Sequence, residues 1–318
     1  MNHDVFSGDA DGICALHQLR LAFPATHNLV SGMKRETGLL QGVEAAPGEE
    51  VTVLNQPLGS NREALLAMLG KGVKVRYFDS DVSAAIPNHP NLSAMISAGA
   101  GSSTSLLMNR HLSGKYLIWA VIGAFGENQR QAYKAAEPLC LIPPQLTALR
   151  ELGEHINYNS DGELVEDAHF HPAELYRLMH RYSDPFVFIR DDGVLEILKQ
   201  GLIEDLSLAR TARPEHETPA AITYILPNKP WGRRVSRAYC NSLAGSFPDR
   251  AHAVLLQRGD GTLLANVRAP LNSQNGADTL CARFETGSGT KGAAEITRLP
   301  ESDLPQFIEA FNTAFPAA

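Results

Sequence analysis

The chain has 318 residues, 44% of them hydrophobic and 20% charged, which is enough for two domains with separate cores and too apolar for a disordered chain. A formal net charge of -7 excludes broad, sequence-blind binding to duplex DNA, which needs an extended basic face, but leaves room for a local basic groove. Cys14, Cys140, Cys240 and Cys281 lie far apart, without a CxxC pair or zinc spacing, and read as isolated, buried thiols of a reducing compartment.

The first element is an apolar strand, Asp4 to Phe6, running through Ser7-Gly8-Asp9-Ala10-Asp11-Gly12 into a helical stretch from Ala15 to Phe23. The N-terminus lacks a basic region followed by an apolar core, and no apolar run is long enough to cross a bilayer, so a cytoplasmic protein without a membrane partner is expected. Val51 to Leu54, Val73 to Phe78 and Leu117 to Ile122 read as further buried strands, with helices over Arg62 to Leu69 and Ser103 to His111. This alternation predicts a mainly parallel sheet with helices on both faces. Working residues of such sheets stand just past the carboxyl ends of strands, where Asp9, Asn55 and Asp79 fall. Gly99 to Thr104 begins a helix and lacks the Gly-Lys-Ser/Thr ending of a nucleotide P-loop, so capping is a better reading there than anion binding.

From Gln145 to about Leu208 the pattern is mostly helical, with a turn at Gly193. His169-Phe170-His171 has the alternation that places two imidazoles on one strand face, but no carboxylate or cysteine partner is near, which argues against a metal. Ala209 to Pro219 has the composition of an exposed linker, giving expected domains at 1–208 and 218–318. Beyond it come a strand at Ala221 to Leu226, a helix over Arg233 to Leu243, a hairpin through Arg258-Gly-Asp-Gly261 and a helix over Gly276 to Phe284. A glycine-rich turn follows, then a last helix from Ser302 to Phe315. Arg233, Arg234 and Arg237 beside Trp231 either track a nucleic-acid backbone with a stacking aromatic or form a solvated helix surface.

Two segments carry chemistry. In Asp9-Ala10-Asp11-Gly12, two carboxylates one residue apart at a strand end suit a divalent cation beside a phosphate, with Gly12 freeing the backbone to turn; the same residues also suit a helix cap. In Thr286-Gly287-Ser288-Gly289-Thr290-Lys291-Gly292, a glycine-rich turn exposes backbone N–H groups as an anion nest, and Arg268 and Lys291 add charge; a tight structural turn is the plainer alternative.

Taken in order, Asp9-Ala10-Asp11-Gly12, the strand end at Val51-Thr52-Val53-Leu54-Asn55, Asp79-Ser80-Asp81 and an acid after an apolar strand at Gly126-Glu127-Asn128 resemble the motifs of the DHH phosphoesterase superfamily. That superfamily includes RecJ-like exonucleases and nanoRNases. Asn266-Val267-Arg268-Ala269-Pro270-Leu271, Gly276 to Cys281 and Thr286 to Ala294 resemble its DHH-associated domain. The resemblance implies an α/β fold: a DHH-like domain with a mainly parallel sheet and a smaller α/β domain facing it across a cleft. It implies a metal-dependent phosphoesterase acting on a small nucleotide or short single-stranded oligonucleotide, with Mn or Mg as cofactor. Asp9, Asp11, Asp79 and Asp81 would be catalytic and, with Glu127 and Asn55, would hold the metal. Arg268, Gly287, Gly289, Lys291 and Gly292 would hold the substrate phosphate.

The departures bear on the chemistry. Ser7 stands where the family has a histidine, Asn55 where it has a metal-bridging aspartate, Ser80 and Asp81 where it has two histidines, and Glu127 where it has an aspartate. In one reading the acids still converge as an oxygen-only site that suits Mg²⁺, Ca²⁺ or Mn²⁺. In the other, the fold and its nucleotide binding persist without the chemistry, because two-metal hydrolysis needs an anionic bridge and Asn55 supplies only a neutral carbonyl.

Overall fold

The computed structural model describes residues 1–82, 84–97, 103–127 and 129–316, with Gln129 described by its backbone alone. Contacts divide the chain into two compact units, Met1–Lys199 and Gln200–Ala318.

The first unit is built on a five-stranded, all-parallel sheet: β1 (His3–Ser7), β2 (Asn28–Gly32), β3 (Glu50–Leu54), β4 (Lys74–Asp79) and β5 (Leu92–Ile96), in the order β2-β1-β3-β4-β5. The period of two sorts its side chains between two cores. Val5, Val51, Val53, Val75 and Tyr77 face one core with Leu58, Leu65 and Leu69 of α2 (Leu58–Gly70). Phe6, Leu54 and Phe78 face the other, with Ile13 and Leu16 of α1 (Ala10–Ala22) and Leu106 of α3 (Thr104–His111). Strands buried on both faces read as continuous apolar runs, which is why β1, β3 and β4 are legible. β2 and β5 lie at the two edges of the sheet and are half exposed.

Leu117 to Ile122, expected as a strand, is instead the start of α4 (Leu117–Glu127). Trp119 to Phe125 of this helix is buried, packed against α1, α3, α5 (Gln129–Ala136) and α6 (Pro143–Ser160). A helix enclosed on all sides is apolar all round, so it shows no stripe and looks like a core strand. Glu127 therefore ends a helix rather than following a strand. Helices α7 (Pro172–Met179), α8 (Pro185–Asp191) and α9 (Val194–Ala209) complete the expected helical stretch. Val194, Leu195 and Leu198 of α9 join the first unit's core, while Ala209, with Leu202 and Leu206 against it, belongs to a core of the second.

The second unit has a mixed six-stranded sheet in the order β10-β11-β9-β8-β7-β6. Its strands are β6 (Pro214–Glu217), β7 (Ala221–Leu226), β8 (Ala251–Gln257), β9 (Thr262–Arg268), β10 (Gly287–Gly289) and β11 (Ala293–Pro300). Helix α10 (Pro230–Ser246) packs beside β8 and β9, in a core with Val254, Leu256 and Leu264. Helices α11 (Ala277–Cys281) and α12 (Leu304–Ala314) share the other core with Leu255, Ala265 and Ile296.

Four local expectations change. Residues 214–217, inside the segment expected as a linker, pair with β7 as an edge strand, whose exposed side chains give it a linker's composition. The glycine-rich segment is a hairpin, with Gly287 and Gly289 in β10 paired to β11. The last helix starts at Leu304, and Ser302 turns its hydroxyl to Asp303 instead of capping. Cys140 is exposed, while Cys14, Cys240 and Cys281 are buried; all four are free thiols.

Candidate functional site

The parallel sheet brings Asp9, Asn55 and Asp79 to its carboxyl end, each within two residues of a strand terminus. Asp9 caps α1, with Oδ1 accepting from the Gly12 N–H at 2.8 Å. Gly12 is required by space rather than by an unusual turn, since a Cβ there would lie 2.2 Å from the Ser7 carbonyl oxygen. Asn55 adopts φ 54°, a left-handed conformation that asparagine tolerates better than most residues. Its Nδ2 donates to both Asp9 oxygens, at 3.0 and 3.1 Å, while Thr104 Oγ1 donates to its Oδ1 at 2.8 Å. Where the resemblance implies a metal ligand, the amide presents its donor edge to a carboxylate.

Asp11 is taken up by the start of α3. Ser103 Oγ donates to it at 2.6 Å, and the Thr104 and Ser105 N–H groups donate at 2.7 and 2.8 Å. Ser103 also caps α3 by accepting from the Leu106 N–H. The helix thus is capped as expected and does hold an anion, but the anion is Asp11 of the same chain. Residues 99–102 of the Gly99 to Thr104 segment lie outside the described residues.

Glu127 accepts from Lys34 Nζ at 2.5 Å and from Asn157 Nδ2 at 3.4 Å. Asn157 also donates to the Gly126 carbonyl and accepts from the Ala10 N–H at 2.8 Å, tying α6 and α4 to the start of α1. Neither Lys34 nor Asn157 was expected from the sequence. Lys34 follows β2, a half-exposed edge strand, and the available hint at Asn157 was a polar run, Asn157 to Asp161, on a helix that buries it.

Asp79 Oδ1 accepts from the Ser80 N–H at 2.8 Å, and its Oδ2 is buried with no hydrogen bond of normal geometry among the described residues. Burial pushes the Asp79 carboxyl up to about 8, with the Asp81 and Asp11 charges adding to the rise and backbone N–H groups opposing it. Burial likewise raises Asp9 to about 6; Glu127 and Asp11 add to this, while the Lys34 charge and the Gly12 N–H oppose it. Asp11 also rises, through burial and the Glu127 charge. Asp81 is only half buried.

The acids therefore gather at one end of the sheet, but each of Asp9, Asp11 and Glu127 is met by donors from the protein. Among the described residues, no group of three or more His, Cys, Asp or Glu side chains is disposed to hold a metal ion. A two-metal arrangement does not fit this geometry, because Asn55 is neutral and turns its N–H groups, not its oxygen, toward Asp9.

In the second unit, Arg268 ends β9 opposite Ala293 of β11. Its Nε donates to Asn241 Oδ1 at 2.6 Å and its Nη1 to the Val267 carbonyl at 2.8 Å. Between β10 and β11, Thr290 and Ala293 exchange backbone hydrogen bonds of 2.7 and 3.3 Å, closing a tight turn over Lys291 and Gly292. The carbonyls of Lys291 and Gly292 accept from the Ala277 and Ala269 N–H groups, both at 3.0 Å. Their own N–H groups donate to no acceptor among the described residues.

Other candidates have structural roles. Arg234 forms a two-pronged pair with Asp205, both bonds 2.8 Å, and Arg233 donates to Asn228. His169 bonds the Tyr158 hydroxyl, and His171 caps α7 by accepting from the Ala173 N–H; neither lies on a strand.

No protein-family model and no curated protein matches the chain. Solved structures do. A pGpG-specific phosphodiesterase, PggH of Vibrio cholerae, aligns over 98% of both chains with a TM-score of 0.52 and 12% identity. An exonuclease RecJ bound to manganese aligns over 98% of this chain and 89% of its own, with a TM-score of 0.51 and 17% identity. RecJ of Thermus thermophilus in complex with Mn²⁺ gives a TM-score of 0.55 at 14% identity over 98% of this chain, which spans 51% of that protein. At such identities the likeness is one of fold, and the chain has the RecJ-like DHH fold expected from its motifs.

Proposed function

We propose that this chain binds the phosphate of a small nucleotide or short single-stranded oligonucleotide, on a fold otherwise used by phosphoesterases. The observation that carries this is the turn at Lys291 and Gly292, whose two N–H groups have no acceptor among the described residues, and which leads into the strand paired with the one that ends in Arg268. Consecutive N–H groups with adjacent cationic side chains are the usual recognition elements for a phosphate oxygen. The substrate class is supported by the neighbours, a pGpG phosphodiesterase and an exonuclease.

Hydrolysis is the second reading, and those same hydrolase neighbours favour it. It requires Asp9, Asp11, Asp79, Asp81 and Glu127 to hold a Mn or Mg ion, and hence Asp9 to leave Asn55 and Glu127 to leave Lys34. The present hydrogen bonds weigh against that exchange.

The test is calorimetric titration of a 5′-phosphorylated dinucleotide in EDTA, paired with a product assay in Mn²⁺ and Mg²⁺. Binding is expected to survive EDTA and to weaken about tenfold or more in both Arg268→Ala and Lys291→Ala, the scale of a lost charged hydrogen bond. Binding that is absent in every condition, or unchanged in both variants, would overturn the proposal. Turnover in metal that disappears with Asp9→Ala and Asp11→Ala together would establish the enzyme reading instead.

A further inference from the structure

The carboxylate end of the parallel sheet poses a question of charge. Asp9 and Asp11 flank Ala10, whose N–H donates to the same Asn157 side chain that donates to Glu127, so the three acids meet at one place. Acids so placed normally need an external cation.

The chain provides donors from within. Asp11 is bonded by one hydroxyl and two N–H groups at the start of α3, a helix end that itself favours negative charge. Asp9 receives the Gly12 N–H and both hydrogen bonds of the Asn55 amide. Glu127 receives the Lys34 ammonium, whose side chain is 17% exposed, and the same ammonium acts electrostatically on Asp9. Lys34 is fixed at its root, because Met33 before it is buried and the Lys34 N–H donates to the Ser160 carbonyl at 3.1 Å. A rooted lysine has fewer conformations to lose when its ammonium is held in place.

We propose that Lys34 is the resident cation of this cluster: its ammonium on Glu127, together with the Asn55 amide on Asp9, does the charge balancing that a divalent metal would otherwise do. The acids thus persist as a folded, metal-indifferent cluster, and two residues keep the metal out. This stands apart from the nucleotide reading, which concerns residues of the other unit, and it is read without nucleotide.

The experiment follows the thermal midpoint and Mn²⁺ titration of the full chain in EDTA and in Mn²⁺. Wild type and Lys34→Arg are expected to show the same midpoint in both media and no Mn²⁺ binding. Lys34→Met combined with Asn55→Asp is expected to melt lower in EDTA, to regain a few degrees in Mn²⁺ and to bind the ion. Asn55→Asp alone keeps the ammonium and is expected to stay indifferent. Stoichiometric Mn²⁺ binding by wild type overturns the proposal, and so does an Asn55→Asp variant that responds as strongly as the double variant. If the double variant does not fold in either medium, these two single-protein outcomes still decide.

Discussion

His17 is wholly enclosed within the first unit, its ring 4.1 Å from that of Trp119 and its Nδ1 3.2 Å from His180 Nδ1. Burial, reinforced by the neighbouring His180, lowers its pKa from 6.5 to about 3. Unfolding exposes the ring, so between about 3 and 6.5 the unfolded chain binds the extra proton. Its contribution to stability is thus complete above 6.5 and is lost as the pH falls toward 3. Urea unfolding from pH 7 down to 4 should show stability falling by up to about 1.4 kcal/mol per pH unit from this one group. His17→Gln should flatten that slope, whatever its effect at pH 7. Equal slopes in both proteins would remove His17 as the cause. None of this was legible in the sequence, where a histidine four residues after Ile13 resembles any other polar position on a helix.

At the scale of elements, packing decides what local pattern leaves open. Helices α4 and α6 approach so closely at Gly153 that a Cβ there would sit 2.3 Å from the Ile122 carbonyl oxygen, a backbone atom unable to step aside cheaply. Gly153→Ala should therefore cost about 1–3 kcal/mol, the usual range for overpacking, although alanine is the better helix former. Gly245, in α10, has no atom within 4 Å of its would-be Cβ. Gly245→Ala should gain about 0.5 kcal/mol through the unfolded chain. Chemical denaturation of the two variants reads the contrast, and a stabilised Gly153→Ala would mean that the helices separate easily.

The whole molecule has hydrophobic clusters confined to each unit: Leu16 is buried in one of the first unit's, and Phe307 in one of the second's. We expect each unit to melt as its own cooperative body. Scanning calorimetry should resolve two transitions, with Phe307→Ala lowering one by roughly 5–15 °C and Leu16→Ala lowering the other by a similar amount. A single transition that moves with either variant would refute independent melting. Much of this architecture is local in origin. Apolar runs at Asp4 to Phe6, Val51 to Leu54 and Val73 to Phe78, with helical stretches between, suffice for a parallel α/β sheet and for placing Asp9, Asn55 and Asp79 at its carboxyl end, since strand direction alone puts them there. The departures at Ser7, Asn55, Ser80 and Asp81 are equally plain in the chain. Three things came only from the folded protein, and each depends on neighbours distant in sequence. Leu117 to Ile122 became a helix because α1 and α6 enclose it. Asp11 turned inward to the start of α3, 92 residues away at Ser103. Lys34 reached Glu127 across 93 residues. Periodicity and turn chemistry report on a residue and its nearest neighbours, whereas a carboxylate's partner is whatever donor the packed chain brings within about 3 Å of it.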